Sequence, residues 1–383
     1  MSLFRSTLLE ILNFVEGHVD DLSLKIKKRF ALSDPLHIVP YRSYGTVNRL
    51  YVKGRVMENK NIQASTDKDT LWNNIVSMYK RFESDEVPGA LLKVYFQEQE
   101  YLVTTDEEGY FVCNLVTDVP VQNEDLWHDI KIALINAPLP FEADIAAEAQ
   151  VLVPPFDCEY GIISDIDDTI VKTGATDLLA MSRNTFFKNA HSRLPFPGVA
   201  EFYKSLQLGR NGKRNNPFFY VSSSPWNLYD LLVDFMDLNA IPPGPLLLRD
   251  YGIGMEKFMP SDHLGHKGKE IEQILAAYPS LKFVLIGDSG QQDPIIYQSI
   301  VEKFPGRILA VYIRDVQLEE REKVAIKISE SLRNHQVEMV IVDTTVEAAD
   351  HAAKIGLIFR ETIPQIEVDK DKDKGKLPGK ETL

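Results

Sequence analysis

The sequence predicts an α/β protein whose larger part is a doubly wound, mainly parallel sheet, preceded by a smaller antiparallel β-sandwich. Apolar strand-like runs alternate with helical patterns from about residue 155 to 360, which is typical of a parallel sheet with right-handed crossovers. Short runs rich in Val, Tyr and Leu, with a hairpin signal, fill residues 36–154. Pro154 and Pro155 mark the boundary between these two regions.

Four parts are predicted along the chain: an amphipathic helix over 1–35, the β-sandwich accessory domain over 36–154, the α/β domain over 155–362 and a charged tail over 363–383. The first part has apolar residues at helical spacing. The tail alternates Asp with Lys and cannot bury much apolar surface, so we expect it to be disordered.

The N-terminal helix admits two interpretations. Its basic end, Lys25 to Arg29, could rest on an anionic membrane surface. Alternatively, the helix packs on the body of the protein with a solvated charged face. Its acidic half cancels the basic half, which favours the packed helix.

The accessory region reads mainly as strands. Strand patterns occupy 37–41, 49–57, 91–96, 101–105, 110–115 and about 130–134, and one helical pattern lies near 71–79. No cluster of His, Cys or Asp in this region suggests chemistry. Its predicted role is therefore docking or bracing.

The α/β region alternates regularly. Its strand candidates are 160–164, 217–221, 245–249, 282–286, 307–313 and 337–342, and its helical patterns are 197–208, 226–238, 267–277, 293–303, 318–332 and 346–356.

Charge limits the partners of this protein. The 383 residues carry a formal net charge of −14, which disfavours a nucleic-acid-binding protein because such proteins need a positive field. The charge does not exclude an anionic substrate held locally by a metal ion and a few cations. The two cysteines, Cys113 and Cys158, show no metal-ligand spacing. Free thiols in a reducing compartment are favoured, and a disulfide between the two stays open.

A cytoplasmic location is expected. Glu10 interrupts the first apolar run, so no signal peptide is predicted, and no run of 18 apolar residues suggests a membrane span. Peripheral contact with a membrane stays open, and the sequence points to no protein partner.

Acidic residues crowd the end of the first predicted core strand. The strand from Tyr160 to Ser164 ends at Asp165, and Asp167 and Asp168 follow at once. Three carboxylates in four positions repel one another, so they favour a site for a hard divalent cation such as Mg²⁺. The alternative is an acidic turn that caps a helix.

Polar residues also follow two later strands. The strand over 217–221 ends in Ser222, and the strand over 282–286 ends in a loop that contains Asp288 and Asp293. Lys267 opens the helical pattern between them. Ligands of open α/β sheets bind beyond the carboxyl ends of the strands, so these side chains are expected at one edge.

These four segments, in this order, resemble the haloacid dehalogenase superfamily of phosphotransferases. The resemblance implies that Asp165 is the nucleophile, which forms an aspartyl-phosphate, and that Asp167 is the general acid and then the general base. It implies that Ser222 binds a phosphoryl oxygen and that Lys267 neutralises charge, with Lys269 as the rival lysine.

The resemblance also implies Mg²⁺ as the cofactor. Asp165, the backbone carbonyl of Asp167, and Asp288 would hold the ion, and Asp293 would act as an outer or water-mediated partner.

Longer motifs narrow the resemblance to the actin-patch-associated phosphatidate phosphatases, over about 155–315. The motifs are Asp165-Ile-Asp-Asp-Thr-Ile, Thr173-Gly-Ala-Thr176, Arg193 to Tyr203, Tyr220 to Tyr229, Gly244 to Asp250 and Leu285 to Asp293. The chain resembles the shorter bacterial members of this family. The family implies Mg²⁺-dependent hydrolysis of phosphatidate to diacylglycerol.

Two other functions stay open. One is a phosphatase of the same superfamily that acts on a soluble ester or a phosphoprotein, and the other is a non-catalytic adaptor.

The gaps from Thr169 to Ser222 and from Ser222 to Lys267 are too short for a large cap domain. A thinly covered site suits a phosphate at a membrane surface or on a macromolecule.

Overall fold

The computed structural model describes residues 35–58, 86–116, 119–121, 124–141, 144–166, 169, 196–249, 263–316 and 319–375. Three predictions fall outside these residues. They are the N-terminal helix, the helix near 71–79 and the placement of Asp167 and Asp168.

The accessory region forms one mixed, eight-stranded sheet. Its strands are β1 (Leu36–Pro40), β2 (Ser43–Thr46), β3 (Arg49–Glu58), β4 (Leu91–Phe96), β5 (Gln99–Thr104), β6 (Tyr110–Val116), β7 (Trp127–Asn136) and β8 (Ala146–Leu152). The hydrogen-bonded order is β1-β3-β2-β8-β7-β4-β5, and β6 pairs with β3. All pairs are antiparallel except β2 with β8, which is parallel.

Alternation of apolar and polar residues builds the core of this sheet. Along β4, for example, Leu92, Val94 and Phe96 are buried, whereas the residues between them are partly exposed. All eight strands belong to one hydrogen-bonded sheet, in which β6 branches from β3, so a sandwich of two separate sheets stays a prediction. The predicted antiparallel arrangement was wrong for one pair of strands, because β2 and β8 run in the same direction.

The second region is a six-stranded parallel sheet. Its strands are β9 (Gly161–Asp165), β10 (Phe218–Pro225), β11 (Leu246–Arg249), β12 (Phe283–Asp288), β13 (Ile308–Arg314) and β14 (Glu338–Val342). They lie in the order β11-β10-β9-β12-β13-β14, and every pair is parallel. The predicted strands of this region are confirmed.

Helices cover both faces of the parallel sheet. They are α1 (Val199–Leu208), α2 (Tyr229–Leu238), α3 (His263–Ala277), α4 (Asp293–Lys303), α5 (Glu319–Leu332), α6 (Thr345–Lys354) and α7 (Ile363–Gly375). One buried cluster joins α1, α2, α6 and α7 to one face, and a second joins α3, α4 and α5 to the other. None of the described helices is long and apolar enough to cross a membrane.

The expected disorder from residue 363 onward was wrong for residues 363–375, which form α7. Ile366 is fully buried, and two acidic residues of α7 bind the start of α1. Asp373 accepts a hydrogen bond from the backbone N–H of Gly198 at 3.1 Å, and Asp369 accepts one from Glu201 at 3.4 Å. Carboxylates are favourable at the positive end of a helix, so these tail charges stabilise docking.

Candidate active site

The carboxyl ends of β9, β10 and β12 bring the predicted polar residues together. The chain builds β10 and β11 on one side of β9 and then returns to build β12 and β13 on the other. Asp165 ends β9 and Asp288 ends β12, so both lie where the strand order reverses. Such a reversal leaves a crevice between the two helical layers, where α/β proteins bind ligands.

Lys267 links two of the carboxylates. Its Nζ lies 2.7 Å from Oδ1 of Asp165 and 2.8 Å from Oδ1 of Asp293. It also donates to Oε1 of Gln291 at 3.1 Å. Lys267 is 3% exposed and Asp165 1%, so this is a buried ion-pair cluster rather than a surface one. Lys269, on the same helix, is exposed.

The loop after β12 orients Asp288 and Asp293. Oδ1 of Asp288 accepts backbone N–H bonds from Gly290 at 2.6 Å and from Gln291 at 2.9 Å. Oδ2 of Asp293 accepts the backbone N–H of Asp288 at 3.2 Å. The two carboxylates are therefore held mainly by backbone donors, which fixes their positions more firmly than side-chain contacts alone would.

Two glycines make this close packing possible. A Cβ atom at Gly287 would lie 2.5 Å from Oδ2 of Asp293. A Cβ atom at Gly290 would lie 2.7 Å from the Val316 side chain and 3.0 Å from Oδ1 of Asp288. The Gly-Asp-Ser-Gly sequence is thus needed so that the loop can fold back on its own carboxylates.

Hydroxyl groups surround the acidic strand ends. Ser222 is fully buried, and its Oγ accepts the backbone N–H of Ser224 at 2.9 Å. Thr169 donates to Oδ2 of Asp165 at 3.4 Å. Ser164 donates to the backbone carbonyl of Asp165 at 2.7 Å and lies 2.7 Å from the hydroxyl of Tyr203.

The site is strongly charged despite its burial. Burial alone would lower the pKa of Lys267, but the charges of Asp165 and Asp293 outweigh this effect and hold that pKa above its ordinary value. Burial, followed by the negative charges of Asp293 and Asp165, raises the pKa of nearby Tyr297 far above its usual range. Lys267 therefore stays protonated at neutral pH, and Tyr297 stays neutral.

The acidic cluster fits a divalent cation. One oxygen from each of Asp165, Asp288 and Asp293 lies within 4.8 Å of the others, and all three residues are buried. Lys267 supplies a single positive charge against three carboxylates, so a second cation would balance the cluster. Asp293 accepts a hydrogen bond from Lys267 at Oδ1 and from the backbone N–H of Asp288 at Oδ2, so it links the lysine to the loop that carries Asp288.

The structure brings together most of the predicted site residues. Asp165, Lys267, Asp288 and Asp293 form the cluster, and Ser222 lies on the neighbouring strand, one residue beyond the pairing of Val221 with Asp165. Asp167 lies outside the described residues.

Two residues that make hydrogen bonds at the site were not predicted from the sequence. Gln291 accepts from Lys267, and Arg321 of α5 donates to the backbone carbonyls of Gly290 and Gln291. Gln291 stands within the recognised motif, but Arg321 belongs to a helix that gives no local sign of this contact.

The site and the fold define a class of protein: an α/β protein with a buried acidic cluster at the switch point of a parallel sheet. Residues 160–315 match the family model described as the catalytic domain of phosphatidate phosphatase APP1. This segment begins just before β9 and ends just after β13, so it contains every described residue of the cluster.

Two fungal proteins are similar to this chain. Phosphatidate phosphatase APP1 of Saccharomyces cerevisiae is 36% identical over 214 residues, which are 55% of this chain and 34% of the yeast protein. An uncharacterized protein of Schizosaccharomyces pombe is 27% identical over 236 residues, which are 59% of this chain and 38% of that protein. The chain thus spans little more than a third of these relatives. The family match and the yeast relative support a phosphatase enzyme.

The similarity of this chain to solved structures is low. A carbohydrate acetylesterase from Xanthomonas citri, XAC1771, aligns with 76% of this chain and 72% of its own. The TM-score is 0.25 and the sequence identity is 11%, which is too low to relate the two folds.

Proposed function

We propose that this protein is a Mg²⁺-dependent phosphatase that hydrolyses a phosphate monoester, with phosphatidate as its substrate and diacylglycerol as its product. The observation that carries the proposal is the buried cluster of Asp165, Lys267, Asp288 and Asp293 at the switch point of the sheet. A fold has little reason to bury three carboxylates around one lysine unless the site binds charged ligands. We further propose that the parallel sheet is a haloacid dehalogenase-like domain.

Asp165 is the proposed nucleophile. Its carboxylate attacks phosphorus, the bond to the leaving oxygen breaks, and the phosphoryl group is held as an acyl phosphate. Lys267 lies 2.7 Å from this carboxylate and would offset the negative charge that gathers there. Because Lys267 also pairs with Asp293, it stays in place while Asp165 changes its bonding partner.

Asp167 is the proposed proton carrier, on the strength of the motif resemblance. It gives a proton to the departing alkoxide and later takes one from the water that attacks the acyl phosphate. This second step returns the free carboxylate of Asp165 and releases inorganic phosphate. Ser222, buried on the adjacent strand, is the proposed hydrogen-bond partner of a phosphoryl oxygen.

Asp165 and Asp288 are the proposed side-chain ligands of Mg²⁺, and Asp293 orients them through its bonds to Lys267 and to the Asp288 backbone. A bound Mg²⁺ would neutralise phosphoryl oxygens and reduce their repulsion of an anionic nucleophile. The ligand set suits Mg²⁺, which takes few carboxylates and completes its shell with water and substrate oxygens.

Phosphate release tests this function directly. Wild-type protein and an Asp165→Asn control would be assayed with Mg²⁺ on phosphatidate in mixed micelles, on glycerol 3-phosphate, and on a panel of soluble esters and phosphopeptides. We expect phosphatidate to give the highest kcat/KM and excess EDTA to abolish its hydrolysis. Equal kcat/KM on glycerol 3-phosphate would overturn the lipid substrate and favour the soluble-ester phosphatase. No hydrolysis of any ester would favour the non-catalytic adaptor.

Peripheral membrane contact belongs to the same proposal, because the substrate lies in a bilayer. Removal of residues 1–31 should then lower activity on vesicles more than on detergent-dispersed lipid. Equal losses on both would leave this segment with a structural role only.

A further inference from the structure

The part of β10 that carries Ser222 is paired irregularly with its neighbouring strands. The ladder between β9 and β10 extends to the pair of Val221 with Asp165. The register between β10 and β11 shifts between Val221 and Pro225. A single 3₁₀ turn over Trp226–Leu228 then leads into α2. The geometry of residues 222–226 therefore depends on contacts other than a continuous ladder.

Trp226 connects this segment to the accessory sheet. Its ring stacks on that of Tyr41, with centroids 4.8 Å apart and an interplanar angle of 15°. The ammonium group of Lys53, from β3, lies 3.8 Å from the centroid of the Trp226 ring. This is close for a cation–π contact, and tryptophan is the best aromatic partner for one.

The accessory side of this contact is itself firmly held. Tyr41 is buried, and its backbone N–H donates to the carbonyl of Lys53 at 2.9 Å. The next residue, Arg42, contacts α2: its backbone N–H donates to the hydroxyl of Tyr229 at 2.6 Å. Its guanidinium forms two bonds with Asp237, at 2.9 and 3.0 Å. The chain that follows Ser222 is thus tied to the accessory sheet at Trp226 and, within α2, at Tyr229 and Asp237.

We propose that Lys53 and Tyr41 are positioning residues for the phosphoryl-binding segment Ser222–Trp226, so that the accessory sheet sets the affinity of the site for a phosphoryl group. This inference rests on the proposed function. The acidic cluster is held separately, through Lys267 and the loop after β12, so loss of the Lys53 contact should leave the metal site in place.

The test uses the full chain with Lys53→Met, which removes the charge but keeps an unbranched side chain, and Lys53→Arg, which restores a cation over the ring. Lys93→Met is the matched control. Lys93 also lies near an aromatic ring of the accessory sheet, with its Nζ 5.8 Å from the Tyr95 centroid, and it pairs with Glu100. Hydrolysis of p-nitrophenyl phosphate, its competitive inhibition by inorganic phosphate and the Mg²⁺ half-saturation would be measured for each protein.

We expect Lys53→Met to raise the inhibition constant for phosphate about 5-fold, which corresponds to ~1 kcal/mol. The Mg²⁺ half-saturation should stay at the wild-type value, and Lys53→Arg and Lys93→Met should both bind phosphate like the wild type. A purely structural role would lower the melting temperature and the active fraction without this selective change in phosphate affinity.

Three outcomes would overturn the inference. If the wild type is active and Lys53→Met binds phosphate equally well, the inference is overturned and the proposed function stands. The same holds if Lys53→Met loses phosphate affinity and Mg²⁺ affinity in parallel. A wild type that hydrolyses no ester overturns the proposed function, and the inference with it. If Lys53→Met fails to fold, Tyr41→Leu decides, because it removes the stacked ring and should give the same selective loss of phosphate affinity.

Discussion

Replacement of Lys267 by Met tests the electrostatic design of the site. Lys267 is the buried cation between Asp165 and Asp293, at 2.7 and 2.8 Å. Removing one partner of a buried ion pair costs ~3–5 kcal/mol, because the remaining charge is left uncompensated. A domain of this size loses about 2–4 °C of melting temperature per kcal/mol, so Lys267→Met should melt roughly 6–20 °C below the wild type.

Lys269→Met is the matched control, because Lys269 lies on the same helix and is exposed. Its loss should change stability by no more than about 0.5 kcal/mol. Thermal melts followed by circular dichroism, in EDTA at pH 7, would measure both variants. Equal melting temperatures for the two variants would refute the assignment of Lys267 to a buried cluster.

Three further predictions concern activity, packing and pH. Asp165→Asn should keep less than about a tenth of the wild-type phosphate release, a loss of more than ~1.4 kcal/mol in the barrier, and a higher residual rate would reject this nucleophile. Gly287→Ala should lose ~1–3 kcal/mol of stability in urea melts, since its Cβ would lie 2.5 Å from Oδ2 of Asp293; an unchanged midpoint would contradict the close packing. Burial raises the pKa of Glu270, and the positive charge of Lys53 opposes this effect only in part. The folded state therefore disfavours the ionised carboxylate of Glu270, so the free energy of unfolding falls as pH rises through the raised pKa. Glu270→Gln should therefore gain melting temperature relative to the wild type as pH rises above about 4.3, and a constant difference across that range would be inconsistent with the raised pKa.

The strands of the parallel sheet were predictable because burial on both faces demands unbroken apolar runs. Phe218 to Val221 and Phe283 to Ile286 are buried at every position, so their composition shows where they begin and end. The polar residues that follow such runs must lie at the carboxyl edge. For this reason Asp165, Ser222 and Asp288 could be placed near one another from sequence.

Elements that depend on distant contacts were not predictable in this way. Strand β8 reads Ala-Ala-Glu-Ala-Gln-Val-Leu, which has little strand propensity and forms because it pairs with β7 and β2. Helix α7 is stabilised by the burial of Ile366 and by the bonds of Asp369 and Asp373 to the start of α1. No local pattern shows that these acidic residues will meet a helix N-terminus.

The contact of Lys53 and Tyr41 with Trp226, which joins the two sheets, was also not predictable from the sequence. Lys53 and Tyr41 stand more than 170 residues before Trp226, and neither belongs to a recognisable motif. Their contact follows from how the accessory sheet packs against the start of α2, which only the tertiary structure reveals.

The most direct test of the central claim is transfer of label from [³²P]phosphatidate to the protein under single-turnover conditions, with acid quenching. The proposed mechanism predicts labelled protein whose phosphate is released by hydroxylamine, as expected of an acyl phosphate, and much less label in Asp167→Asn, which lacks the proton donor for the departing alkoxide. Asp165→Asn should carry no label. Release of free phosphate by the wild type without labelled protein at any time, or label that persists in Asp165→Asn, would contradict the account.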